Sequence, residues 1–405
     1  MTVPGTPRPG PLAGVLVADL SRVLAGPLAT MLLGDLGATV VKVEHPRGDD
    51  TRRWGPPFAG SETAYYVSVN RNKRSIVLDL STADGLAAAR RLAERATVLV
   101  ENFRPGRLDR FGLGYDDLAP ANPGLVYCSI SGFGREPPGA ALVGYDFVVQ
   151  AMCGLMGITG PPDGPPCKVG VAVVDVLTGL YATIGILAAL EARRVGGQGQ
   201  RVEVSLLASA LASLVNQASS FLNAGVVPEP MGNRHPSIAP YETLSAADGE
   251  LALAVGNDGQ FESLCAALGL EHLASHPDFA TNAARVAHRD DLADRLEEGL
   301  SARPAAEWVN VLGAAGIACG PVNDVAGAFE QAERLGLSPR VAFTAGGRSV
   351  TTVANPLKLS SSPTRYRRPP PALGADTAEV LAWLDGDDRR SLDERTTDRH
   401  LREEH

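Results

Sequence analysis

The sequence predicts an α/β fold with a Rossmann-like parallel-sheet large domain and a smaller α+β domain. Short runs of β-branched and aliphatic residues recur along the N-terminal third, and helix-length segments separate them. Strands alternating with helices form βαβ units, whose parallel sheets are buried on both faces. The composition then changes at residues 224–241, which are rich in Gly, Pro, Asn and His. Such a segment is typical of a loop, and it indicates the start of a second domain.

The predicted elements follow one another in the order that a parallel sheet requires. Strands are predicted at residues 14–19, 39–44, 75–80, 97–101, 125–131, 168–174, 201–206 and 251–255. Helices are predicted at residues 27–36, 86–95 and 177–194, with further helical segments to about residue 223 and, beyond residue 255, to about 312. A turn is predicted at residues 320–322, and a charged exposed helix or frayed tail at 385–405.

Four segments make up the predicted domain organisation. Residues 1–205 form the N-terminal part of the large domain, and residues 206–225 form a linker. Residues 226–330 form the small domain. Residues 331–405 are predicted to return and complete the large domain, ending in the C-terminal tail.

Charge and cysteine usage restrict the class of protein. The formal charge of -9 argues against a nucleic acid or an anionic membrane as the main partner. The five cysteines lie far apart without a CxxC pair, so neither a zinc site nor a disulfide framework is predicted. No apolar core of signal-peptide length opens the chain, and the apolar stretch 179–190 is too short to span a bilayer. We therefore expect a cytoplasmic protein with no membrane partner.

The first βαβ unit resembles a dinucleotide fold without its binding loop. After the predicted strand 14–19 the chain reads LSRVLAGP, which lacks the G-x-G-x-x-G glycines that let a pyrophosphate approach the backbone. NAD(P) binding is therefore not predicted. Three basic clusters, at residues 47–53, 71–74 and 104–110, lie beside the ends of predicted strands. Each fits a solvated surface, but three on successive connections also fit a phosphate-rich ligand.

Asp175 lies where the predicted strand 168–174 meets a long apolar helix. An aspartate at such a junction is either a helix N-cap or a reactive group, and the pattern alone leaves both open. The amides of the helix N-terminus would favour the carboxylate over the acid. We therefore expect the group to stay charged in an apolar setting.

Six segments in series resemble motifs of the class III CoA-transferases, the CaiB/BaiF type. They are residues 19–27 (DLSRVLAGP), 70–75 (NRNKRS), 100–106 (VENFRPG), 129–134 (SISGFG), 144–146 (GYD) and 320–322 (GPV). The resemblance extends from about residue 12 to about residue 375 in the order of that family.

This resemblance implies a ping-pong transfer in which Asp175 becomes acylated and then carries CoA as a thioester. It implies no metal and no tightly bound cofactor, with a coenzyme A thioester as substrate and a carboxylic acid as acceptor. It also implies an interlocked homodimer in which each chain threads through the other.

The same resemblance assigns residues to the CoA path. The implied CoA-binding residues are Val23, Leu24, Arg74, Asn102, Phe103, Arg104, Arg110, Phe111 and Tyr145. Arg71 is a further candidate, beside Arg104, for contact with the CoA phosphates. Arg234 and His235 lie in a segment similar to a loop that approaches the active site in the family. They are candidates for the free carboxylate of a dicarboxylic substrate, with succinyl-CoA as the hypothesised donor, although an ordinary polar loop fits them equally well.

Two alternatives remain within the same fold. An acyl-CoA racemase would use Asp175 for proton transfer at the α-carbon. Tyr145 argues against it, because the racemase branch has a histidine base at this position and a phenol is a poor base near neutral pH. A CoA-binding protein without catalytic activity is the other alternative, and the intact setting of Asp175 argues against that.

Overall fold

The structure is a computed structural model and describes residues 10–345, 348–386 and 392. Most of the charged tail predicted at residues 385–405 lies outside the described residues. The strands are β1 (Leu16–Asp19), β2 (Thr39–Glu44), β3 (Phe58–Ala59), β4 (Glu62–Thr63), β5 (Lys73–Val77), β6 (Val98–Glu101), β7 (Val126–Ser131), β8 (Arg201–Ser205), β9 (Tyr241–Ser245), β10 (Glu250–Ala254), β11 (Ala318–Pro321), β12 (Arg340–Ala345) and β13 (Arg348–Val353).

Helices separate these strands through most of the chain. The α-helices are α1 (Ala25–Asp35), α2 (Ala64–Ser68), α3 (Ala83–Arg95), α4 (Tyr115–Leu118), α5 (Asp146–Met152), α6 (Val173–Gly196), α7 (Leu206–Ser213), α8 (Val215–Ala224), α9 (Asp258–Leu268), α10 (Glu271–Ala274), α11 (Asn282–Ala287), α12 (Arg289–Leu300), α13 (Ala305–Ala314), α14 (Val325–Arg334) and α15 (Thr377–Asp385).

Within the described residues, the main sheet has six strands in the order β5-β2-β1-β6-β7-β8. Neighbouring strands pair in parallel throughout, as the alternation of strands and helices predicts. Side chains alternate between the two faces: Val17 and Val40 belong to one apolar core, and Ala18 and Val41 to the other. Such two-sided burial is what makes strands of a parallel sheet read as continuous apolar runs.

Helices cover both faces of this sheet. One core contains apolar residues of α1 and α6, and the other contains residues of α3 and α15. The C-terminal part of the chain is tied to the edge strand β5. Ser75 N donates to Asp376 Oδ2 at 2.8 Å, and Val77 N donates to Thr377 Oγ1 at 3.1 Å. This segment thus returns to the large sheet.

One predicted strand of the large sheet is wrong. Residues 168–174 form no strand; α6 begins at Val173 and the residues before it are irregular. A run of β-branched residues becomes a strand only where it finds a ladder partner, and here Val169 N and Val171 O bond to the side chain of Gln150 instead.

The chain divides into two compact units, each described by itself. The larger contains the described residues of Met1–Leu155, Val169–Gly225 and Ser338–His405, and the smaller contains Met156–Lys168 and Val226–Leu337. Residues 206–225, expected to be a linker, form helices α7 and α8 of the larger unit.

The smaller unit has an antiparallel sheet in the order β11-β10-β9 with a helical core. Gly320 and Pro321 pair with Ala252 and Leu251 in this sheet, so the turn predicted there is wrong. A buried arginine joins three segments of the unit: Arg285 donates to Ala239 O at 2.7 Å and to Asp258 Oδ1 at 2.7 Å.

Helix α6 is longer than the apolar stretch 179–190 suggested. By length and composition alone it could cross a membrane, a test that core helices of soluble proteins also pass. One face of α6 is buried, with Val174, Ala182, Ile186 and Ala189 in the core. Less than half of its most apolar window is buried, however, so a large part of its surface is apolar and exposed.

Candidate active site

Asp175 is the third residue of α6 and is half-buried in the first turn of that helix. It is not the N-cap: that position belongs to Ala172, which provides no side-chain cap. The cap comes from another helix. Asp146, the first residue of α5, accepts Val174 N at 2.8 Å and Asp175 N at 3.2 Å with one carboxylate oxygen. Two carboxyl groups therefore meet at the start of α6.

Gln150 fixes the capping carboxylate. Its Nε2 donates to the second oxygen of Asp146 at 2.6 Å, and its Oε1 accepts Val169 N at 2.9 Å. Gln150 is fully buried, one turn further along α5. The segment leading to Asp175 is thus bound to α5 by side-chain hydrogen bonds of both Gln150 and Asp146.

The electrostatic setting of Asp175 differs from the expectation. Burial and the charge of Asp146 raise the pKa of Asp175 to about 7. The helix amides expected to favour the carboxylate at Asp175 are bonded to Asp146. Tyr65 shares this environment, since burial and then the charges of Asp175 and Asp146 raise its pKa to about 12.

A cavity of about 330 Å³ opens over Asp175. The connections that follow β1, β6 and β7 provide most of its wall, as expected for the carboxyl ends of parallel strands. The residues lining it are Arg22, Val23, Leu24, Ala25, Asp50, Asn102, Phe103, Arg104, Pro105, Ile130, Ser131, Gly132, Leu142, Val143, Gly144, Tyr145, Asp175 and Leu206. The structure therefore brings Asp175 together with six of the predicted CoA-binding residues: Val23, Leu24, Asn102, Phe103, Arg104 and Tyr145.

An amide clamp joins two of these connections. Asn102 Oδ1 accepts Arg22 N at 2.8 Å, and Asn102 Nδ2 donates to Arg22 O at 2.7 Å. The Arg22 guanidinium lies 5.1 Å from the centre of the Phe103 ring and 3.8 Å from Asp50. The clamp fixes the loop between β1 and α1 against the loop after β6. Arg22 of the first loop and Arg104 of the second add positive charge to the cavity wall.

Two glycines bring a third connection to the cavity. A Cβ atom on Gly132 would lie 2.7 Å from the Cα of Gly144, and one on Gly144 would lie 2.6 Å from the Cα of Gly132. Only residues without a side chain permit this approach of the two backbones. The motifs 129–134 and 144–146 therefore meet here, and this places Tyr145 in the wall.

Both arginines of the basic motif 70–75 are buried. Arg74 is buried and forms ion pairs with Glu379 at 3.2 Å and Asp376 at 3.8 Å, outside the described lining of the cavity. Arg71 is likewise buried and forks onto Asp35, at 2.9 and 2.6 Å. These guanidinium groups bind carboxylates of the protein and lie outside the described lining of the cavity over Asp175.

The other predicted residues also lie outside the described lining. Arg110 is exposed in a short 3-10 helix at Asp109–Phe111, and Phe111 packs against the apolar core there. In the smaller unit, Arg234 pairs with Glu242 at 2.9 Å and Asp290 at 2.6 Å.

His235 lies beside Arg234 in the smaller unit. Its ring packs against that of Tyr241, with the centres 5.2 Å apart, and its Nδ1 accepts Ser237 N at 3.1 Å. These contacts place both residues in an ordered loop of that unit.

Sequence reasoning missed the parts of the site that depend on tertiary contacts. Asp146 belongs to the motif 144–146, but its cap on α6 links residues 28 positions apart, which the motif alone does not indicate. Arg22 and Asp50 line the cavity without having been predicted. An acidic residue beside a glycine-rich motif was the available signal for Asp146. Within the described part of the chain, no group of three or more metal-ligating side chains is present.

Known proteins of one family match this chain along nearly its whole length. The profile of CoA-transferase family III matches residues 12–377. The succinate–glutarate CoA-transferase of Agrobacterium fabrum is 44% identical over 386 residues, which cover 93% of this chain and 96% of that protein. The human succinyl-CoA:glutarate CoA-transferase is 39% identical over 387 residues, covering 95% and 88% of the two chains. A crystal structure of a CaiB/BaiF family protein from Brucella suis superposes with a TM-score of 0.84 at 42% identity, covering 93% of this chain and 100% of that one. The chain therefore belongs to CoA-transferase family III and is a CoA-transferase.

Proposed function

We propose that this CoA-transferase moves CoA from succinyl-CoA to a second carboxylic acid, such as glutarate, through covalent intermediates on Asp175. The observation that carries the proposal is the position of Asp175 in one cavity with the loops after β1, β6 and β7. The names of the relatives from Agrobacterium fabrum and from human support succinate and glutarate as the two acids between which CoA is transferred.

The transfer proceeds in four nucleophilic substitution steps. The Asp175 carboxylate attacks the thioester carbonyl of the donor, which forms a mixed anhydride and releases CoA thiolate. The thiolate attacks the Asp175 carbonyl of that anhydride, forms an aspartyl-CoA thioester and releases the donor acid. The acceptor carboxylate then attacks the thioester, which gives a new anhydride and thiolate. Attack of the thiolate on the acceptor carbonyl forms the product and frees Asp175.

The cavity provides what these steps need. A pKa of about 7 leaves a useful fraction of Asp175 ionised near neutral pH, and it raises the basicity of the attacking carboxylate. Leu24 and Ala25 line the cavity at the N-terminal end of α1, where backbone amides and the helix dipole favour a developing oxyanion. Arg22 and Arg104 supply cations for the CoA phosphates.

Recognition of the distal substrate carboxylate remains a prediction for Arg234 and His235. Two carboxylates already neutralise Arg234 within its own unit, which favours His235 as the direct contact. The racemase alternative has less support, because Tyr145 occupies the wall where that activity needs a base.

The proposed assembly is a homodimer in a reducing compartment, the cytoplasm. Helix α8 buries none of its side chains in the isolated chain, and apolar residues of α6 are exposed beside their buried face. A second copy would cover them. All five cysteines are free, which fits a reducing environment.

Trapping the covalent intermediate tests the function. The purified protein is incubated with succinyl-, glutaryl- and acetyl-CoA in turn, treated with hydroxylamine or borohydride, digested and mapped by mass spectrometry. We expect a modified Asp175 with the reactive donor, and CoA transfer to an added labelled acid. Asp175→Asn should show neither, whereas Asp84→Asn, an exposed aspartate on α3, should behave as the native protein.

Two results would contradict the proposal. Transfer without any adduct on Asp175 would remove the covalent route. Deuterium entering the α-carbon of an acyl-CoA from heavy water, with no transfer to an added acid, would favour the racemase. Inert succinyl-CoA beside a reactive second thioester would change only the donor.

A further inference from the structure

Val23 adopts a backbone conformation that its side chain disfavours. Its φ is +70°, in the left-handed region, and the other described non-glycine residues there are Asn72 and Val215. A β-branched residue in this region is an outlier held in place by its surroundings, and such strain clusters at functional sites. Val23 lines the cavity over Asp175.

Side chains from other elements hold the loop that contains Val23. Val23 N donates to both carboxylate oxygens of Asp49, at 3.3 and 3.4 Å. Lys42 of β2 binds Asp49 Oδ2 and also Ser21 O, each at 2.9 Å. The Asn102 clamp on Arg22 lies between these two contacts. Three successive residues of the loop are therefore bound through their backbone.

Asp49 is itself rigidly held. The side chains of Lys42 and Asp49 are 0% and 1% exposed. Thr51 donates its backbone N at 3.0 Å and its hydroxyl at 2.8 Å to Asp49 Oδ1. Burial raises the pKa of Asp49, but the charge of Lys42 and these hydrogen bonds outweigh it and leave the pKa below its ordinary value. A buried, charged and fixed acceptor thus faces the strained amide.

We propose that Asp49, anchored by Lys42, is a positioning residue that holds Val23 in the left-handed conformation and thereby sets the CoA-facing wall opposite Asp175. The next residues, Leu24 and Ala25, begin α1 and line the same cavity. If Val23 relaxed to negative φ, the loop would rotate and move the start of α1 relative to the reacting carboxylate. Displacements of about 1 Å at such a site cost on the order of 10²-fold in rate.

This inference rests on the proposed covalent transfer at Asp175, and its test compares glycine with alanine at Val23. Asp49→Asn removes the charge, so we expect kcat to fall about tenfold or more, with a smaller change in KM. Val23→Gly in the Asp49→Asn background should recover at least about threefold of the loss, because glycine adopts positive φ without strain. Val23→Ala in that background should recover nothing, because alanine remains strained at positive φ. Each single Val23 variant is measured as well, to complete the two mutant cycles.

Asp79 supplies a matched control. Its carboxylate accepts Ser81 N at 2.9 Å and Ser81 Oγ at 2.6 Å, the same local turn that Asp49 forms with Thr51. Asp79 is not part of the described cavity lining, so Asp79→Asn should leave kcat and KM unchanged. Exchange of the Val23 amide with deuterium should become faster in Asp49→Asn and stay slow in Asp79→Asn.

The fold must survive for the comparison to hold. If Asp49→Asn does not fold, the pair Lys42→Met with Asp49→Asn removes both buried charges together and takes its place. Equal recovery by glycine and alanine, or an Asp49 variant as active as Asp79→Asn, would overturn the positioning role. Failure of the native protein to acylate Asp175 would instead overturn the proposed function. Slow amide exchange at Val23, accelerated by the Asp49 variant, would still support the clamp in that case.

Discussion

Asp146 and Asp175 lie together at the start of α6, and this contact affects the protonation of the Asp175 carboxyl group. Burial and the Asp146 charge raise the pKa of Asp175 to about 7. In the proposed transfer only the ionised group attacks, so we expect the rate of Asp175 acylation to fall about tenfold per pH unit below 7 and to level off above it. Asp146→Asn should move this break to lower pH, because the like charge is gone. Stopped-flow release of CoA thiol measures the profile, and an unmoved break would contradict the coupling.

The same carboxyl group should weaken the fold as the pH rises from about 4 to about 7. A pKa that burial raises from 3.8 to about 7 means that the unfolded chain ionises first as pH rises. The contribution of this group to the free energy of unfolding is thus fully present below about pH 4 and is lost as the pH rises toward 7. Asp175→Asn lacks this ionisation, so its Tm should exceed that of the native protein more at pH 8 than at pH 4. Calorimetry at both pH values measures this, and an equal difference at both would contradict it.

The residues that meet at the cavity were predictable from the sequence where a motif is contiguous. Asp175, Val23 and Asn102 followed from the family resemblance, and the structure places all three at one cavity. Arg74 lies outside this cavity because it forms an ion pair with Glu379, which is more than 300 positions away in the sequence. A local basic motif does not reveal whether its side chains will form buried ion pairs with carboxylates that are distant in the sequence.

At the scale of elements, the contact between α1 and α6 sets the distance from the loop between β1 and α1 to Asp175. A Cβ atom on Gly179 would lie 2.7 Å from Ala25 O, so Gly179→Ala must force the two helices apart. We expect a loss of about 1–3 kcal/mol in the free energy of unfolding, with reduced activity.

Gly196, at the other end of α6, is the matched control. A Cβ atom there has no heavy atom within 4 Å, so Gly196→Ala should gain roughly 0.5–1 kcal/mol from the lower entropy of its unfolded chain. Urea unfolding of both variants measures the contrast. Equal and small effects would show that α1 and α6 can adjust without cost.

Strands were predictable from the sequence where a continuous apolar run forms part of a sheet that is buried on both faces. The parallel strands β1, β2, β6 and β7 were predicted within two residues of their bounds because both faces of each are apolar. The segment 168–174 has the same composition but lies beside α5, where Gln150 binds its backbone. Composition gave the propensity, and tertiary contact decided the outcome.

At the scale of the whole molecule, the exposed apolar surface of α8 needs an explanation. The helix has ten residues and buries none of them, while Val215 is 70% and Leu222 is 75% exposed. Isolated helices of this length are marginal in water. The proposed homodimer would cover this surface, whereas a membrane would be the alternative, given the apolar length of α6.

The variant Leu222→Asp distinguishes a second copy of the chain from a membrane as the partner that covers α8. A buried charge in a dimer contact should raise the dimer Kd by at least tenfold, which is about 1.4 kcal/mol. Ser263→Asp adds the same charge on an exposed part of α9 and should leave the Kd unchanged. Light scattering over a dilution series measures the masses, and flotation with lipid vesicles tests the membrane. A monomeric native protein that floats with vesicles would contradict the dimer. A native dimer that Leu222→Asp dissociates, with neither protein floating, would show that α8 is stabilised by a second copy of the chain.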